Sequence, residues 1–156
     1  EANFHGDPIA SNLVVEKASN VSIIPLNVTG RAIVTPEVIN NICQSPSNPF
    51  SSLIKPIFDY YFEAYKKNVP GIQGAPIHDV LTLSAVVNPT MIEYVSRRVQ
   101  VELFGNARGK SIADFRPKPE LEPFDTLDRI GMQLDYNYFL QDFINIMTHN
   151  NGQRAT

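Results

Sequence analysis

Val21-Ser22-Ile23-Ile24-Pro25-Leu26-Asn27-Val28 is an apolar run rich in branched side chains, bounded by Ser19-Asn20 before it and Thr29-Gly30 after it. A run without polar alternation reads as a strand covered on both faces, the place a strand takes in a parallel sheet. Pro25 has no N–H to give to a ladder, which puts it at an edge or a strand end. The pattern predicts one buried strand over residues 23–28. Helices lie on either side of it. Asp7-Pro8 pairs a carboxylate cap with proline at the first helical position, and Ile9, Leu13 and Val14 recur at near-helical spacing to about Ala18. Thr35-Pro36-Glu37 opens a second helix, through about Ile42.

Working outward, Ser45-Pro46-Ser47-Asn48-Pro49 is a loop by composition. Residues 50–67 are helical in pattern, with Pro56 either kinking the helix or starting its second part. Phe58, Tyr61, Phe62 and Tyr65 form one stripe on it. The Gly- and Pro-rich segment 69–76 leads to His78-Asp79 and an apolar helix over residues 80–87, stopped by Asn88-Pro89. Alternation at Val99, Val101 and Leu103 marks a strand, and Gly105, Gly109 and the prolines of 117–123 punctuate short extended pieces. Residues 129–134 suit another strand, and residues 136–147 a closing helix. Strands alternating with helices make an α/β fold: a mainly parallel sheet flanked by helices, with a small antiparallel element in residues 94–134.

The chain has 156 residues and a formal charge of −3, which excludes a strongly cationic nucleic-acid binder. At 43% hydrophobic and 19% charged it has the composition of a single globular domain. No apolar window is long enough to span a membrane. Cys43, the lone cysteine, cannot form an internal disulfide, which fits a reducing, cytoplasmic setting. The chain opens on Glu1 without the features of a signal peptide and reads as a processed or excised piece.

Of His5, His78 and His149, only His78 has an acidic neighbour in a setting suited to a site. The loop before it delivers His78 and Asp79 to a helix N-terminus, where the dipole favours a carboxylate and disfavours an imidazolium. Asp79 could ligate a hard cation there, and His78 could serve as general acid or base. The plainer alternative is that Asp79 caps the helix and His78 is a loop residue. The aromatic stripe is equally open: core packing, or two tyrosine hydroxyls presented to a planar polar ligand.

Taken in order, several segments resemble the nucleoside hydrolase family of the inosine-uridine type, in its C-terminal half. Glu1-Ala2-Asn3-Phe4-His5-Gly6-Asp7-Pro8 is similar to that family's E-F-N-x-x-x-D-P segment, and Leu26-Asn27-Val28-Thr29 to its L-D-V-T. Pro76-Ile77-His78-Asp79 resembles its P-x-H-D turn, and Val101-Glu102-Leu103 with Gly109 its closing strands. Ala2 stands where the family has Phe, and Asn27 where it has Asp. The resemblance implies a Rossmann-like fold and hydrolysis of the N-glycosidic bond of ribonucleosides to ribose and free base. It makes His78 the acid that protonates the leaving base and Asp79 a Ca2+ ligand. Glu1 and Asn3 become ribose contacts, and Tyr61 and Tyr65 leaving-base contacts. It also implies a homodimer or homotetramer acting in nucleoside salvage. The family's N-terminal D-x-D-x-x-x-D-D cluster has no counterpart in these residues, so the resemblance implies half an active site. The rival expectation is an inactive fragment, or a ribosyl-binding or interaction domain without turnover.

Overall fold

Proline cuts much of this chain into its elements. Pro8 and Pro36 stand in the first turns of helices, where a missing N–H costs nothing. The protein is described by a computed structural model over residues 2–116 and 126–148, so the prolines of 117–123 lie outside the described residues. In chain order the elements are α1 (Ala2–Gly6), α2 (Pro8–Lys17), β1 (Ser22–Ile23), α3 (Leu26–Thr29), β2 (Ile33–Val34), α4 (Pro36–Gln44) and α5 (Ser51–Asn68). There follow β3 (Ala75–Pro76), α6 (His78–Val87), β4 (Ile92–Arg97), β5 (Val99–Val101), β6 (Ser111–Ala113), β7 (Asp128–Leu134) and α7 (Tyr136–Thr148). No helix of the described residues is long and apolar enough to cross a membrane.

The chain divides into two compact units, one of Glu1–Val28 with Ile92–Gln133 and one of Thr29–Met91 with Leu134–Thr156. In the first, β7 lies between β1 and β4, and β1 pairs with it in parallel, Ser22 opposite Arg129 and Ile23 opposite Ile130. β5 and β6 form the expected small antiparallel element, Val99 opposite Ala113 and Val101 opposite Ser111. α2 packs on this element through Val15, which joins Val99, Val101 and Ile130 in a buried cluster. Asp7 caps α2 by accepting from the Ala10 N–H at 3.0 Å. Asn12 then accepts from the Val101 N–H at 2.8 Å, fixing the helix to the strand. Gly109 has φ +80, and a Cβ there would lie 2.4 Å from the His5 Cα, so only glycine lets α1 come so close. α1 lies in the segment before Asp7, to which the sequence reading assigns no element.

The strand expected over residues 23–28 also needs correction. Pairing stops at Ile23, and α3 takes over at Leu26. The physical reason is Pro25: it cannot donate to a ladder, and its carbonyl accepts the Val28 N–H at 2.8 Å, closing a turn. A run that is apolar throughout suits a buried turn as well as a buried strand.

In the second unit β2 and β3 pair antiparallel, Ile33 opposite Pro76 and Val34 opposite Ala75. Helices α4 to α7 surround a core that includes Ile39, Ile42, Phe58, Leu81 and Phe139. Thr35 caps α4 by accepting from the Val38 N–H at 3.3 Å. α5 runs through Pro56 as one helix. The Tyr136 hydroxyl donates to the Ile33 carbonyl at 2.8 Å, tying α7 to the β2 strand.

Candidate active site

Three backbone features deliver His78. β3 brings the chain in extended. The Ile77 N–H then donates to the Ala32 carbonyl at 3.0 Å, fixing the residue before the helix. Ile77 is the N-cap of α6 and makes no side-chain capping bond, so His78 and Asp79 occupy the first turn themselves. Asp79 is therefore not the cap, and its exposed carboxylate lies where the helix N-terminus favours negative charge.

Both ring nitrogens of His78 are engaged. Nδ1 lies 2.8 Å from the Thr29 hydroxyl and Nε2 lies 2.8 Å from the Tyr65 hydroxyl. The Tyr65 hydroxyl is 3.4 Å from that of Tyr61, which also lies 3.2 Å from the Pro76 carbonyl. The two tyrosine rings meet edge-on at 5.0 Å. Burial pushes the His78 imidazole below its ordinary value, outweighing the nearby Asp79 charge, which acts the other way. The sequence reading expects this direction from the helix dipole; the larger cause is desolvation. The Tyr61 phenol is pushed up, first by burial, then by its bond to Tyr65 and the charges beside it. Its ring lines an apolar groove of about 670 Å³ with Ile57, Val80, Leu83 and Val87.

The aromatic stripe on α5 thus resolves into two roles. Phe58 is core, and it stacks on Phe62 at 5.8 Å. Tyr61 and Tyr65 turn their hydroxyls to His78 and its neighbours. The second unit therefore brings together four of the six residues singled out from sequence: Tyr61, Tyr65, His78 and Asp79. Asn3 is exposed on α1 in the first unit, and Glu1 lies outside the described residues. Thr29 was not among the candidates. It is separated from His78 by 49 positions, and no local pattern announces such a pairing. Two signals were available: Pro25, which ends the strand, and the place of Thr29 at the end of the Leu26-Asn27-Val28-Thr29 segment.

A hard cation such as calcium takes roughly six to eight oxygen ligands. Among the described residues no three His, Cys, Asp or Glu side chains come together to hold a metal. Asp79 offers one carboxylate, and these residues alone do not fit calcium.

The sequence profile described as inosine-uridine preferring nucleoside hydrolase matches residues 1–141. An inosine-uridine preferring nucleoside hydrolase of Crithidia fasciculata is 28% identical over 89% of this chain and 43% of its own length. A pyrimidine-specific ribonucleoside hydrolase of Salmonella newport is 30% identical over 84% of this chain and 43% of its own. Among solved structures, a plant nucleoside hydrolase superposes with a TM-score of 0.84 at 20% identity, over 95% of this chain and 47% of its own, a likeness of fold. The chain spans less than half the length of each of these three proteins.

Proposed function

From the premise that the chain belongs to the inosine-uridine preferring nucleoside hydrolase family, we propose that it carries the leaving-group side of an active site that hydrolyses ribonucleosides to ribose and free base. The observation that carries this is the string from Thr29 through His78 to Tyr65 and Tyr61 at the start of α6.

Cleaving an N-glycosidic bond by water transfers a hydroxyl to the sugar carbon and a proton to the departing base. A base leaving as an anion is a poor leaving group, so the site needs a proton held where the base departs. His78 is that proton's source. Acting as imidazolium, it passes the Nε2 proton to the Tyr65 oxygen as the phenol proton goes to the departing base, so that His78 ends as neutral imidazole and the base leaves neutral. Tyr61 and Tyr65 contact the base, and Glu1 and Asn3 hydrogen-bond the ribose hydroxyls. Asp79 is this chain's contribution to the family's cation site; because one carboxylate does not make such a site, no step is drawn through a metal. The same reading carries a homodimeric or homotetrameric assembly and a cytoplasmic role in nucleoside salvage.

Two proteins test the reading: these 156 residues alone, and the same residues joined to a segment bearing the paired-aspartate cluster. Base release from inosine and uridine is expected from the joined protein and not from the chain by itself. Release by the chain alone would overturn the division into halves. A folded joined protein inert on both nucleosides, with calcium present, would overturn the hydrolase reading.

A further inference from the structure

We propose that Arg108 is a positioning residue for the ribose side of the site: its guanidinium, brought onto the His5 carbonyl by a bulged turn, holds α1 where that helix presents Asn3. The consequence for ribose binding rests on Asn3 being a ribose contact; the mount of α1 does not. α1 has five residues and buries none of them. A free helix in water is marginal even at roughly 12–15 residues, so one this short has to be held from outside. One anchor is Phe4, partly buried against the cluster of Val15, Val99, Val101 and Ile130. A single side chain sets the depth of α1 and leaves the helix free to turn about that point. The last carbonyls of a helix have no partner within it. The His5 carbonyl takes its hydrogen bond from Arg108 Nη1, a cationic donor and therefore a strong one. Two contacts on neighbouring residues fix the rotation of α1, and with it the direction in which the exposed Asn3 leaves the backbone.

The turn between β5 and β6 is shaped for this reach. Glu102 pairs with two residues: its N–H donates to the Lys110 carbonyl at 2.9 Å, and its carbonyl accepts the Gly109 N–H at 2.8 Å. Two residues opposite one make a β-bulge, here with its glycine left-handed at φ +80. The Arg108 N–H donates to the Gly105 carbonyl at 3.3 Å and the Lys110 N–H to the Ala107 carbonyl at 2.9 Å, so the backbone around Arg108 is fixed from both sides. Gly109 is the point at which the turn meets the backbone of α1. Arg108, the residue before it, then needs only its own side chain to reach the His5 carbonyl. Bulges recur where a side chain has to be re-aimed beside a site. Arg108 is exposed, so its guanidinium adds nothing to the core. What it fixes is α1.

Two substitutions test it. Arg108→Met keeps the apolar stem and removes the donor, whereas Arg108→Lys restores a donor, which is enough for one carbonyl. In the ¹⁵N-labelled 156-residue chain, the proton–nitrogen NOE of the amides of residues 3–6 reads the order of α1. Ordered values are expected in wild type and Arg108→Lys and lowered ones in Arg108→Met, with α2, β5 and β6 unchanged. Amides equally ordered in wild type and Arg108→Met, or already mobile in wild type, would overturn the proposal. In a joined protein that turns over inosine, Arg108→Met should raise KM about 2- to 12-fold, the worth of one ordinary hydrogen bond, with kcat nearly unchanged. Arg108→Lys should stay near wild type. Asn3→Ala should raise KM in the same way, and adding Arg108→Met to it should change KM by less than about twofold, because the contact being positioned is already gone. Effects that simply multiply would overturn the proposal, since a general loss of structure gives that result. Lowered order in α1 together with an Asn3→Ala protein indistinguishable from wild type would support the mount and count against the ribose contact alone.

Discussion

Each unit of the molecule hides polar atoms, and the two treat them in opposite ways. In the unit that holds α6, Thr29, His78, Tyr65 and Tyr61 form a string in which every contact can be a hydrogen bond at once. In the unit that holds β7, Asp128 is 1% exposed, and its Oδ2 is without a hydrogen-bond partner among the described residues, as is the buried Arg97 Nε. A satisfied network fixes one geometry, whereas an orphaned buried group costs about 1–3 kcal/mol. The first unit is where stability can be gained by substitution. The second is where substitution should remove activity.

The largest expected effect is in the string. In a protein that restores the other half of the site, His78→Ala should reduce kcat for inosine by ~10²- to 10⁴-fold, or roughly 3 to 5.5 kcal/mol, the usual worth of a general acid. KM should hardly change, because the proton is delivered in the transition state. A nucleoside carrying a nitrophenyl group in place of the base needs no protonation and should be cleaved almost normally. Equal losses on both substrates would make His78 a structural or sugar-binding residue and end the contrast between the units.

A pair of glycines with nearly the same backbone sharpens it next. Gly109 in the first unit has φ +80 and Gly71 in the second has φ +81. A Cβ on Gly71 would meet nothing within 4 Å, whereas on Gly109 it would run into the His5 backbone. Gly71→Ala should cost only the left-handed backbone penalty of about 1–2 kcal/mol. Gly109→Ala adds a clash with backbone, and about 2–4 kcal/mol in all is expected. Chemical denaturation measures both. Equal costs would mean that α1 does not rest on the turn at Gly109.

These cases also show what was legible in the sequence. Asp7-Pro8 and Thr35-Pro36 announce their helices because a cap is a local bond, made to a residue three positions on. His78 and Asp79 stood out because a Gly- and Pro-rich loop runs into an apolar helix, and that signal is also local. The same local reading overextended the strand from Ile23, since branched apolar residues suit a buried turn as well as a ladder. It listed four aromatics on one stripe without separating Phe58, in the core, from Tyr65, whose hydroxyl meets His78, and Tyr61, whose hydroxyl meets that of Tyr65. That separation depends on what α5 faces, which the sequence does not encode within any one segment. Thr29 and Asp128 escaped notice for the same reason: each matters through a neighbour distant in the chain.

The smallest expected effect concerns Asp128. Burial raises its carboxyl above the ordinary range, against a smaller opposing effect of the Val99 N–H. With the folded value above the unfolded one, the protonated form is the one the fold prefers. The stabilising contribution is therefore complete below the unfolded value, about 3.9, and is lost as pH rises through the raised, folded value. Asp128→Asn keeps the shape and an acceptor for the Val99 N–H while removing the charge, so it should stabilise the protein at neutral pH by on the order of 1 kcal/mol. Below the unfolded value the advantage should vanish, because wild-type Asp128 is then neutral as well. Asp114 titrates in the opposite sense, held low mainly by its hydrogen bonds to Arg116. It is present in both proteins, so the difference between them isolates Asp128. Urea denaturation of the pair across this pH range reads that difference directly. A difference that stays flat with pH, or an Asp128→Asn protein less stable than wild type at neutral pH, would mean that the buried carboxylate is satisfied after all. The two units would then handle their hidden polar groups alike.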